Sequence, residues 1–151
     1  MKNENTAKDF DGRSVYERTT AVFFDSNHVE DLNETVHQEF MGYGTAAHEF
    51  MNEKKVLMEM ARTQSDQMRN SNIEVNRKII FERALADSTS YLIVEEFDFH
   101  DADNGHHYSM RLTTILEETD GRWLVSHMHG STPDSNIAEE EALPMEGVRR
   151  K

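Results

Sequence analysis

The sequence predicts an α+β domain in which a curved antiparallel sheet wraps around a long helix. Three observations carry that expectation. Apolar residues recur at helical spacing from Ala46 to about Met68. Three strand-like runs then follow one another between Ser90 and Pro133, joined by short turns, as in an antiparallel meander. Helical patterns precede the strands instead of alternating with them, which separates this class from a parallel α/β sheet.

Taken in order, residues 1–13 are polar and acidic, with Asp11-Gly12 as a breaker, and read as a flexible arm. Ser14 and Glu17 have the spacing of a capping box, and Val15, Thr19, Val22 and Phe23 continue at helical spacing until Asp25-Ser26-Asn27. A short strand is expected around Val36 to Phe40, stopped by Gly42-Tyr43-Gly44. In the long helix Ala47, Phe50, Met51, Leu57, Met58, Ala61 and Met68 share a stripe; the methionines are adaptable filling, suited to a core or to a permissive pocket. Asn70-Ser71-Asn72 ends it. Strands are expected over 73–86, 90–99, 107–118 and 122–133, and the domain over 14–133. Residues 134–151 run from acidic, Glu139-Glu140-Glu141, to basic, Arg149-Arg150-Lys151, and read as a tail.

A length of 151 residues suits one domain that needs no staples. Apolar residues make up only 36% and charged residues 30%, which leaves part of the chain for solvated segments. The net charge of −13 argues against nucleic acid and anionic membranes as partners. With no cysteine, disulfides, thiolate metal sites and cysteine nucleophiles are excluded. Met1 to Thr6 has no apolar run of the kind a secretory signal needs, and no window reaches the length of a membrane span. A cytoplasmic protein is expected.

The candidate site centres on the last strand. Regular alternation puts Trp123, Val125, His127, His129 and Ser131 on one face, which then grades from aromatic to imidazole to hydroxyl like the wall of a half-apolar pocket. The Glu118–Arg122 turn sets the pairing. A three-residue loop with Gly121 left-handed would place Val125 opposite Ile115, His127 opposite Thr113 and His129 opposite Arg111. A two-residue loop would instead bring Leu112 and Thr114 beside the histidines. In the first register Arg111 offers a guanidinium to a small anionic or polar organic ligand; the competing reading pairs Arg111 with an internal acid such as Glu95. The candidate ligand-binding residues are therefore Tyr16, Phe23, Arg111, Thr113, Trp123, His127, His129 and Ser131. The first two assume that the first helix caps the sheet. Both faces of the last two strands carry apolar groups, so the face away from the helix calls for a second copy of the chain.

Trp123, His127, His129, Ser131 and Pro133, following Asp120-Gly121, resemble the last strand of SnoaL-like domains in the nuclear transport factor 2-like (cystatin-like) superfamily. Gly42-Tyr43-Gly44-Thr45-Ala46-Ala47-His48-Glu49 and Glu139-Glu140-Glu141-Ala142-Leu143-Pro144 resemble that family too. The same last-strand spacing is similar to the association domain of calcium/calmodulin-dependent protein kinase II. The resemblance covers roughly residues 14 to 144 and implies a cone-like sheet on a long helix, a pocket at its open end, and usually a dimer. Enzymes of the superfamily, such as scytalone dehydratase, ketosteroid isomerase and the SnoaL cyclase, use an Asp or His inside the cone. No Asp falls on the expected pocket-facing positions of the last two strands.

Three functions stay open at this point. The first is a non-catalytic homodimeric module that binds or senses a small molecule. The second is an enzyme of isomerase, dehydratase or hydrolase type, with His127 or His129 as general base. The third is a structural association domain. No cofactor is called for. A metal clamped by His127 and His129 needs a third ligand, such as His107 or Glu95, and no spacing signature supplies one. The loop from His100 to His107 lacks the closing Glu of a calcium loop.

Overall fold

The computed structural model describes residues 11–133. Helix α1 (Gly12–Ala21) leads into a 3-10 helix (Ser26–Asp31) and the single turn α2 (Leu32–Thr35). Strands β1 (Val36–Tyr43) and β2 (Phe50–Met51) precede the long helix α3 (Lys54–Arg69). Strands β3 (Ile73–Ala84), β4 (Ser90–Asp101), β5 (His107–Thr119) and β6 (Arg122–Ser131) complete one curved, open six-stranded sheet of order β2-β1-β6-β5-β4-β3. The α+β class and the meander of β3 to β6 match the sequence expectation.

Three local expectations are corrected. The first helix starts two residues before Ser14, capped at Asp11, and Ser14 Oγ donates back to the Asp11 carbonyl (3.3 Å) from inside it. The long helix starts at Lys54, not Ala46. Residues before it close a tight return instead: Gly44 N–H donates to Glu49 O (2.8 Å), Glu49 N–H to Ala46 O (3.0 Å), and β2 pairs with β1. The strand expected over 36–40 runs on to Tyr43 and lies parallel to β6, outside the meander. Gly42 is required there: a Cβ would sit 2.4 Å from the Met128 carbonyl oxygen, which is backbone and cannot swing away.

The β5–β6 turn matters most. Thr119 pairs with Arg122 across a two-residue loop, Asp120-Gly121, both residues having positive φ (52° and 77°). These dihedrals suit the strands' right-handed twist, and Asp-Gly is a favoured pair for them. The three-residue loop is therefore not formed. Five residues later β6 gains one extra residue: Leu116 faces Val125, but Ile115 faces His127. Ser126 is the bulge, and its hydroxyl donates to the Ile115 carbonyl (3.3 Å). Neither expected register survives beyond it; Thr113 meets His129, and Arg111 meets Ser131.

A bulge changes which face the following residues take. Val125 points into the core before it, and Met128 and Gly130 do so after it, all three buried. His127, His129 and Ser131 go to the outer face. The inner face carries Ile93, Phe97, Phe99, Leu112 and Leu116, and α3 contributes Leu57 and Ala61 to the same core.

Candidate functional site

Between the inner sheet face, the end of α1 and α3 lies a chamber of about 80 Å³. Phe23 and Phe24, just past α1, line it with Phe97 and Leu112 from the sheet and Leu57 from α3. Four methionines, Met51, Met60, Met110 and Met128, complete an apolar wall that can reshape around a guest. Beyond it opens a wider mouth of about 270 Å³, edged by Gln67, Met68, Ile73, Phe99, Tyr108 and Thr132. Thr45, Glu49, Gln64 and Met110 line both hollows, so the two meet there. Tyr108 stacks on Phe99 at 4.7 Å, giving the mouth an aromatic side.

Behind the chamber sits a buried polar network. Glu95, 3% exposed, accepts from Arg77 Nε (2.8 Å) and a second guanidinium nitrogen (3.0 Å), and from the Tyr16 hydroxyl. Arg77 also donates to Thr20 Oγ1 (2.9 Å), and its guanidinium lies over the rings of Phe97 (5.0 Å) and Phe24 (5.7 Å). A second set repeats the pattern: Glu82 accepts from the Tyr91 hydroxyl (2.8 Å) and pairs with Arg13. Both sets bind α1 to the inner sheet face. Burial first, and then the bond to Glu95, push the Tyr16 hydroxyl well above the usual tyrosine range; burial and the bond to Glu82 push Tyr91 up to about 12.

These raised values fix a sign. The stabilisation from keeping each phenol neutral is complete below the unfolded pKa, about 10, and is lost as pH rises through the folded one. Stability is expected to fall between about pH 10 and pH 12 as Tyr91 follows its shift, with Tyr16 extending the loss further. Urea melts against pH check this, and Tyr91→Phe should shallow the alkaline slope.

The residues singled out from the sequence divide among three places. Phe23 lines the chamber. Tyr16 is fully buried behind it, bound to Glu95. Trp123 faces inward but packs edge-on against Tyr91 (6.4 Å), beside the Glu82 network. Arg111, Thr113, His127, His129 and Ser131 lie on the outer face, which overturns the single concave wall; the cause is the extra residue at Ser126. His127 Nδ1 donates to the Met41 carbonyl (2.9 Å), and the His127 and His129 rings stand edge-on, 6.3 Å apart. Glu95 is on the opposite face from both, and its cation is Arg77 rather than Arg111. Arg111 faces Glu96 across β4. His107 stacks on His100 at 4.2 Å. Among the described residues no group of three or more His, Asp and Glu side chains is placed to hold a metal.

Sequence reasoning missed Thr20, Phe24, Glu49, Gln64, Met110, Leu112 and Met128 as chamber residues. The methionine stripe was the available signal: Met51 and Met68 of that stripe do line the hollows.

A curved open sheet, a long helix on its concave side and a hollow between them define a cone-shaped domain. The SnoaL-like domain model matches residues 13–135, and the chain belongs to that family. No curated protein matches it. Among solved structures it is similar to an NTF2-like protein of unknown function from Pseudomonas putida, with TM-score 0.69 and 18% identity over 91% of this chain and 94% of that one. It is also similar to a cystatin-like domain of unknown function from Nostoc punctiforme (TM-score 0.67, 10% identity, 96% and 92% covered). A third is a putative calcium/calmodulin-dependent protein kinase II association domain from Xanthomonas campestris (TM-score 0.55, 16% identity, 81% and 85% covered). At these identities the similarity concerns the fold. Among the described residues no helix is long and apolar enough to cross a membrane.

Proposed function

We propose that this chain binds a small, mainly apolar molecule in the chamber and its mouth, and that it does so without catalysing a reaction. The observation that carries the reading is an apolar hollow built from methionine and phenylalanine, with a few polar groups gathered where chamber and mouth meet. Binding is favoured over catalysis because both histidines suited to general-base work lie on the outer face. The buried Glu95 is already committed to Tyr16 and Arg77. The anionic ligand expected from Arg111 loses its support with that residue's position.

Gly130 provides the test. It lines the chamber, and the atoms nearest to a Cβ there would be Thr45 Cγ2 at 3.4 Å and Met110 Sδ and Thr45 N at 3.8 Å, all ordinary contacts. Gly130→Val should fill the chamber and weaken binding of apolar probes by roughly tenfold or more, while moving Tm by less than about 5 °C. A thermal-shift screen of small aromatic and aliphatic compounds supplies the probes. Equal binding by the variant would place the site elsewhere.

A second reading concerns assembly. Ile80, Phe81, Tyr43 and Phe50 are 44–48% exposed in the single chain, and Leu92, Val94, Ile115 and Leu124 are part-covered on the outer face of the sheet. A patch of this kind supports a homodimer through that face, and similarity to an association domain points the same way. Light scattering tests it; a monomer at high concentration would remove it.

A further inference from the structure

We infer that the chamber's ligand carries a protonated amine and that Glu49 receives it. This rests on the chamber being a binding site, and it names the ligand's class. The return between β1 and β2 fixes Glu49: its backbone carbonyl accepts from Gly44 N–H (2.8 Å), and its Oε2 accepts from Ala46 N–H (3.2 Å). Gly44 leaves the space this carboxylate occupies, since a Cβ at that position would fall 1.9 Å from Glu49 Oε2 and 2.7 Å from its Cβ. The side chain is thus held at the junction of chamber and mouth by a backbone donor and by the absence of a neighbour's methyl group.

One backbone donor leaves a carboxylate with unused acceptor capacity. Among the described residues lining the two hollows there is no Lys, Arg or His. A ligand carboxylate would meet Glu49 with no counter-charge, and a neutral hydroxyl would donate to it without bringing a charge of its own. An ammonium adds the attraction of opposite charges to its hydrogen bond, which the hydroxyl lacks. Gln64, on α3, lines both hollows as Glu49 does and adds a carbonyl acceptor for a second N–H. Phe23, Phe97 and the methionines then take an apolar body. The chain's net charge of −13 favours arrival of a cation as well.

Isothermal titration of the full chain with 3-phenylpropylamine, 3-phenylpropanol and 3-phenylpropanoate separates these terms, because only the head group changes. The amine is expected to bind roughly tenfold tighter than the alcohol, with the carboxylate weakest. Glu49→Gln keeps an oxygen for Ala46 N–H and should erase the preference for the amine, bringing its affinity down to that of the alcohol. An amine preference that persists in Glu49→Gln would show attraction by overall charge and overturn the assignment. Equal binding of the three compounds, or preference for the carboxylate, would overturn the amine and leave the chamber standing as a site. If none of the three, nor any apolar probe of the screen, binds, the binding reading fails and this inference fails with it.

Discussion

Glu95→Ala is expected to destabilise the chain by about 3–5 kcal/mol, the loss that follows when one partner of a buried ion pair is removed. The carboxylate accepts both Arg77 bonds and the Tyr16 hydroxyl, and is 3% exposed. Alanine leaves a guanidinium and a phenol without their acceptor on the inner face. Arg77 keeps 32% side-chain exposure and can recruit water, which sets the cost toward the lower end of that range. Charge alone is not the issue: taking all partners away together, as Tyr16→Phe, Arg77→Met and Glu95→Met in one chain, should recover much of the loss. Urea unfolding of both variants is the measurement. A change below about 1 kcal/mol in Glu95→Ala would mean that α1 is held to the sheet by packing alone.

Phe97→Ala should cost a similar amount, about 3–5 kcal/mol, through lost burial and the cavity left behind. Phe97 is 2% exposed, stacks with Phe99 (6.1 Å) and Phe24 (6.2 Å), and lies under the Arg77 guanidinium. It also lines the chamber. The variant therefore combines lower stability with a larger hollow, and larger apolar probes should raise its Tm by more than they raise that of the parent chain. Phe97→Leu, which keeps more of the volume, should lose roughly half as much stability. If Phe97→Ala melts like the parent, the ring is not part of a packed wall.

The fold was legible because its largest signals are periodic. The α3 stripe of Leu57 and Ala61 and the alternation of Tyr91, Ile93, Phe97 and Phe99 need no tertiary information, and both faces are as expected. Glu95 shares the inner face with Tyr91, Ile93, Phe97 and Phe99, and the sequence offered it only as an internal partner for Arg111. Which arginine answers it depends on the neighbouring strand and on α1, and Arg77 could not be told from Arg111 by spacing.

The site was far less legible. Strict alternation along β6 put the histidines with Trp123, and one extra residue reversed them. A trace existed: Val125 and Met128 are both apolar and three apart, so no regular strand buries both, whereas a bulge at Ser126 does. Glu49 lay hidden because the helical pattern was carried back to Ala46, where a glycine-bearing return forms instead. That return is a close approach of backbone and carboxylate, and Gly44 alone does not announce it.

The most direct test of the account is a methyl NMR titration of the methionines with 3-phenylpropanol, a neutral probe whose binding does not require the amine assignment. The chain has nine methionines. Met51, Met60, Met110 and Met128 line the chamber, while Met41 contacts His127 on the outer face. The account predicts saturable shifts in those four methyl groups, an unmoved Met41, and loss of the response in Gly130→Val. Shifts at Met41 with the chamber methyls unmoved would put the binding surface on the outside of the sheet and contradict it.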